Sequence, residues 1–263
     1  MKQSQAKKRD NAMTNKILMG LIALVLGLLF LEILIVHSKN EQQKNASNQV
    51  QTARIMANGD LLYHDALFMS ALQADGSYDF TENFTYVKPW LKQADLVLGD
   101  FEGTINPDYP LSGYPLFNAP QSVTAAIKDA GYDVMDLAHN HILDSGLEGA
   151  FTTADAFKKV GIDPIGVYEK PVRDKAPLLI KNVNGIKVAI LSYAYGYNGL
   201  ESNLTDKEVA DHLSNLDEKR MKAEIQRAEK EADITVIMPQ MGVEYRLEPT
   251  DEQVKLYHKM IDW

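Results

Sequence analysis

The sequence predicts an α/β domain carried behind one N-terminal transmembrane helix. Three observations lead there. A 20-residue apolar run lies near the N-terminus, strand-like and helix-like segments alternate from Ala53 to Trp263, and several strands end in turns rich in acids, amides and histidines.

The apolar run is Ile17–Val36 (ILMGLIALVLGLLFLEILIV), and Glu32 is its single charge. A helix of that length spans about 30 Å, the thickness of a bilayer's hydrocarbon core. It is too long for the apolar part of a cleaved signal peptide, and no small-x-small cleavage site follows it directly. Residues 1–16 form a basic tail, with Lys2, Lys7, Lys8, Arg9 and Lys16 against Asp10. The positive-inside rule places that tail in the cytoplasm and the main domain outside the cell, as a single-pass cell-membrane protein. Residues 37–52, rich in Asn and Gln, read as a solvated stalk, and residues 53–263 as the folded domain.

Within that domain ARIMANGD (53–60) is a short strand that ends in a polar turn. Tyr86–Gln93 reads as the end of a helix, followed by the strand Leu96–Leu98. Gln121–Ala130 is helical and Asp133–Leu137 is a strand. Leu147–Val160 is a helix stopped by Gly161, with a short strand near Ile165. Lys187–Ser192 is a strand, Asp217–Glu231 a charged helix with i,i+4 pairs, and Ile234–Met238 a buried strand. A last helix begins at Asp251. Strands alternating with helices predict layers and a largely parallel sheet.

Composition narrows the function. There is no cysteine, which excludes disulfides, thiolate metal sites and cysteine nucleophiles. The chain carries a net charge of −9, and about −12 falls after Val36. So acidic a domain excludes nucleic acid as a partner, because phosphate contacts need clustered Lys and Arg.

The strand-end turns carry the chemistry. They are Gly59-Asp60, then Gly99-Asp100-Phe101-Glu102, then Ala138-His139-Asn140-His141, and Gln240-Met241-Gly242-Val243-Glu244. Ligands in open α/β sheets bind beyond the carboxyl ends of strands, so four such turns can share one site. Asp60, Asp100, Glu102, Asn140 and His141 offer oxygen and imidazole donors suited to a divalent ion such as Mn²⁺, Mg²⁺, Fe²⁺ or Zn²⁺. Two ions about 4 Å apart would clamp a phosphate or activate a water, with a histidine to protonate the leaving group. Taken singly, each motif also has a plain structural reading as a turn, a solvated carboxylate or a helix cap. Asp144 in particular reads as a cap for the following turn or helix.

The same residues carry a family resemblance. Asn58-Gly59-Asp60, ADLVLGDFEGTI (94–105), YPLFNAP (114–120), GYDVMDLAHNHILDSG (131–146), GIDPIG (161–166), KVAILSYAYG (187–196) and MGVEYRLEPTDEQ (241–253) resemble the CapA (PgsA-type) family. That family serves bacterial capsule and poly-γ-glutamate synthesis on a calcineurin-like metallophosphoesterase fold. The resemblance implies that Asp60, Asp100, Glu102 and Asn140 hold metal and that His141 is the general acid. His139, Asp144, Gln240 and Glu244 are supporting residues around them. It further implies partners among polymer synthase and export proteins, and an anionic cell-surface polymer. Two departures stand out. Gln240 replaces a histidine of the family's His-Trp-Gly, and a final Gly-His-x-His-like motif is expected beyond Trp263, so the sequence reads as C-terminally incomplete. A non-catalytic scaffold that keeps the fold is the competing expectation.

Overall fold

The computed structural model describes residues 27–28, 30–39, 50–171 and 177–263. The chain divides into two compact units, Met1–Gln51 and Thr52–Trp263. In the first, residues 27–28 and 30–39 are helical, and Leu28, Phe30, Leu31, Ile33, Leu34, Ile35 and Val36 are exposed. Among the described residues no helix is long and apolar enough to cross a membrane. The expected span Ile17–Val36 lies largely outside the described residues, as do the tail 1–16 and most of the stalk 37–52.

The second unit is layered α/β. Four strands, β1 (Ile55–Asp60), β2 (Leu96–Asp100), β3 (Val134–Asp136) and β4 (Asp163–Ile165), form a parallel sheet in that order. Three more, β5 (Leu179–Val183), β6 (Ile186–Ala194) and β7 (Ile234–Gln240), form a second sheet in which β5–β6 is antiparallel and β6–β7 parallel. The expected parallel sheet is present, with a second, mixed sheet beside it. The β5–β6 hairpin turns at Asn184-Gly185, where both residues have positive φ (53° and 90°). A two-residue hairpin loop needs that conformation and Asn-Gly tolerates it.

Side chains alternate along each strand and sort the core into layers. Leu96, Leu98, Val134 and Ile165 of the first sheet meet Val183, Val188 and Ile190 of the second. Val97, Met135 and Leu137 turn the other way. They pack beneath α3 (Val123–Ala130) and α4 (Gly146–Lys159), with Ile127 and Phe157 fully buried. Ala189, Leu191 and Tyr193 pack outward on α6 (Glu218–Glu231) and α7 (Asp251–Asp262). The order is helices, sheet, sheet, helices. Because β2 is covered on both faces, LVLGD is buried throughout.

Short helices complete the fold. Those the sequence reading passed over are α1 (Asp65–Ala71) and α5 (Asp206–His212); α5 is held by a reciprocal capping box between Thr205 and Glu208. The helix end expected at Tyr86–Gln93 is one turn, α2 (Lys88–Leu91), after a 3₁₀ turn at Thr81–Phe84. Thr250 and Gln253 cap α7 in the same way as α5.

Candidate functional site

The parallel strands β1, β2 and β3 all end in aspartate, and register carries those ends to one edge. Asp60 pairs with Asp100, and Asp100 with Asp136. Asp60 is exposed at the mouth, whereas Asp100 and Asp136 are buried. A register irregularity between Ala57 and Asp60 ends β1. Glu102, two residues beyond β2, shares a hydrogen bond with Asp60. Asp136 accepts from the Ala138 N–H at 2.7 Å, which fixes the start of the loop that carries His139, Asn140 and His141.

That loop is held from three sides. The Asp144 carboxylate bonds His141 Nδ1 at 2.7 Å and accepts from the Phe117 N–H at 2.6 Å. Phe117 stands edge-on to the His141 ring, centroids 4.8 Å apart. The opposite ring nitrogen of His141 faces Glu102 at 3.9 Å. Asp144 therefore does not cap a helix, as its spacing suggested. Ser145 is the N-cap of α4 and makes no side-chain capping bond.

Asn140 is clamped by amides from the end of β7 and from the turn after β6. Gln240 Oε1 accepts from the Asn140 main-chain N–H at 2.7 Å, and Gln240 Nε2 donates to Asn140 Oδ1 at 2.9 Å. Asn140 Nδ2 donates to Asn198 Oδ1 at 3.2 Å. Asn198 Nδ2 lies 3.4 Å from His141 Nε2. Gln240, at the end of β7, thus ties the two sheets together across the site, and Asn140 Oδ1 is engaged. Glu244 sits exposed in the loop after β7, where its charge reaches His141.

The electrostatics of this edge are one-sided. Burial, then the charges of Asp136, Asp60 and Glu102, push Asp100 up to about 9. Burial and then Asp60 raise Glu102 to about 7, and burial raises Asp136 to about 7. Burial pushes His139 down to about 3, with His141 adding to the effect. For His141 burial opposes the charged form, but the hydrogen bond and charge of Asp144, with Glu102 and Glu244, outweigh it and raise its pKa. Buried Asp100 Oδ1 and His139 Nε2 make no hydrogen bond of good geometry.

Buried polar atoms are nearly always partnered, and like charges crowded into low dielectric are costly. An orphaned Asp100 oxygen among three more carboxyls fits a bound divalent cation. Asp60, Asp100 and Glu102 are the side chains that would hold it, with Asp136 and His139 behind them. Among the described residues no three histidine, aspartate or glutamate side chains form a ready-made metal cluster. Two residues escaped the sequence reading. Asp136 had a signal, since it ends a strand immediately before Leu137-Ala138-His139. Asn198, in a Tyr-Asn-Gly turn with φ 54°, had none beyond the turn itself.

Comparison with known proteins shows the family. A family model described as bacterial capsule synthesis protein PGA_cap matches residues 54–263. The capsule biosynthesis protein CapA of Bacillus anthracis is 30% identical over 188 residues, covering 68% of this chain and 45% of that protein. The PGA biosynthesis protein CapA of Bacillus subtilis strain 168 is 25% identical over 258 residues, covering 97% of this chain and 66% of that protein. The chain thus spans about half to two thirds of these relatives. A solved structure described as a 5'-nucleotidase from Staphylococcus aureus, in complex with α-ketoglutarate, superposes with a TM-score of 0.51 at 16% identity. It covers 80% of this chain and 43% of that one, and its likeness is one of fold.

Proposed function

The chain belongs to the PGA_cap family of bacterial capsule synthesis proteins, and from that premise we propose a membrane-anchored protein of capsule or poly-γ-glutamate-type polymer synthesis or export. On this reading Ile17–Val36 is the anchor, the N-terminus is cytoplasmic, and Thr52–Trp263 works outside the cell beside polymer synthase and export proteins. The reading includes a metal-dependent phosphoesterase-type site. One observation supports it above the rest: Asp60, Asp100, Glu102 and Asp136 crowd one sheet edge with a buried Asp100 oxygen unpaired, beside a His141–Asp144 pair.

Asp60, Asp100 and Glu102 would hold one or two divalent ions, Mn²⁺, Mg²⁺, Fe²⁺ or Zn²⁺. A bound ion supplies charge neutralisation for a phosphoryl oxygen and a more acidic water. The chain's own part is proton handling and alignment. His141 donates a proton from Nε2, the ring nitrogen that does not face Asp144, to the leaving oxygen. Asp144 accepts from Nδ1, fixing tautomer and ring plane, and favours the imidazolium. Gln240 and Asn198 fix Asn140 so that its amide stays at the same edge. Phe117 stands edge-on against one side of the imidazole.

The second reading, a non-catalytic scaffold, is favoured by the engagement of Gln240 with Asn140 at both heteroatoms, which leaves neither amide free. Hydrolysis of a phosphodiester test substrate by the full chain with Mn²⁺, lost in Asp100→Ala and His141→Ala, supports the enzyme. Metal binding without turnover supports the scaffold.

A further inference from the structure

The end of the domain opposite the site carries a surface the proposed chemistry does not use. Tyr86, Val87 and Trp90 are 88%, 46% and 65% exposed, and Pro89 between them is exposed as well. Isolated exposed apolar side chains are ordinary, but four within five residues on a strongly acidic domain are not a solvated turn. The segment is rigid rather than trailing. Its Leu91 is buried in the core, Lys88 pairs with Asp129 near the end of α3, and Leu91 and Lys92 flank Gly131.

Its place in the fold is definite. It immediately precedes β2, so it lies at the amino ends of the strands, whereas Asp60, Asp100 and Gln240 stand at the carboxyl ends. The chain also enters the domain there. Arg54 Nη1 donates to the Gln93 carbonyl at 3.2 Å, the Arg54 N–H donates to Asp95 at 2.8 Å, and the Thr52 carbonyl accepts from Asn184 at 3.0 Å. The segment therefore stands beside the point where the chain enters the domain. Fifteen residues separate Val36 from Thr52, which reach about 50 Å at most.

We propose that Tyr86, Val87, Pro89 and Trp90 form a bilayer-contacting patch that seats the domain on the membrane surface with the carboxylate site facing away. This rests on the membrane-anchored reading above. Tyr and Trp are suited to it, because an apolar ring with a polar edge settles at the headgroup level. Lys92, two residues beyond Trp90, can extend its ammonium group to a lipid phosphate.

The chain has two tryptophans, Trp90 and Trp263, so Trp263→Phe leaves Trp90 as sole reporter. The full chain carrying that change is reconstituted in phosphatidylcholine–phosphatidylglycerol vesicles, with and without brominated phosphatidylcholine. The expected result is co-flotation with the vesicles and Trp90 emission quenched at least twofold by bromolipid. A reporter at the site end, Leu247→Trp in a Trp90→Phe, Trp263→Phe chain, is expected to stay unquenched. Co-flotation with Trp90 unquenched, or with both reporters quenched alike, overturns the patch and leaves the anchor standing. Failure to co-float overturns the anchor, and the patch with it. Trp90 shielded from bromolipid yet also from aqueous iodide marks a second copy or another protein as the occupant and overturns the proposal.

Discussion

Asp144 grips His141 at 2.7 Å while its own carboxylate is fixed by the Phe117 N–H at 2.6 Å. If His141 is the acid, Asp144→Asn keeps the shape but no longer favours the imidazolium, and turnover of a phosphodiester is expected to fall about 100-fold or more with little change in KM. Gln240→Ala leaves a buried N–H and a side-chain oxygen of Asn140 unpaired. Chemical denaturation of that variant is expected to report a loss of about 1–3 kcal/mol. The carboxylates predict a pH dependence with a definite sign. Asp100, pushed up to about 9, and Glu102, to about 7, hold protons in the folded chain that the unfolded chain has released. The folded state then binds more protons, so stability falls as pH rises through that range. His141, raised, acts in the same direction above its ordinary value. His139, pushed down to about 3, acts oppositely but only below about pH 6.5, where an unfolded histidine takes up its proton. In EDTA, Tm is therefore expected to drop between about pH 7 and about pH 9, and Asp100→Asn to flatten the slope. At this scale the sequence placed five side chains at strand ends, and the structure brings them to one sheet edge. Asp60, Asp100, Glu102, Asn140 and His141 were legible because each follows a strand. The role of Asp144 was not, because i,i+3 spacing fits a cap and a histidine partner equally well.

Strand ends position these side chains, and one glycine shows how closely. Gly166 follows β4 with φ 91°, and a Cβ there would come within 2.6 Å of the Ala138 backbone nitrogen. Gly166→Ala is expected to destabilise the domain by about 1–3 kcal/mol, from overpacking and left-handed strain together. The displaced strand would be β3, which leads into the His139–His141 loop, so metal affinity should fall as well; calorimetry on the same variant checks both. Strands such as Leu96–Leu98 and ITVIM are readable from their continuous apolar runs. The β5–β6 hairpin was missed although Asn184-Gly185 signals it, because the flanking residues Leu179–Val183 mix Lys and Asn with aliphatics and show no clean alternation. The capped helix α5 was missed for a similar reason, since a helix of seven residues shows barely two turns of periodicity.

Across Thr52–Trp263, two sheets face one another between helical layers, and the carboxyl ends of β1, β2, β3 and β7 meet at one edge. The split into two sheets could not be read from the order of elements, because β6 and β7 are parallel like those of the first sheet and only packing separates them. The bulk charge is legible and consequential. A domain near −12 would repel a polyanionic polymer unless cations intervene. On the proposed reading this edge holds a divalent cation. The most direct test is equilibrium dialysis of the purified full chain against Mn²⁺, with bound metal counted in the wild type and in Asp100→Asn. Retained Mn²⁺ in the wild type and at least tenfold weaker binding in the variant are expected. A wild-type chain that binds no divalent metal would contradict that reading.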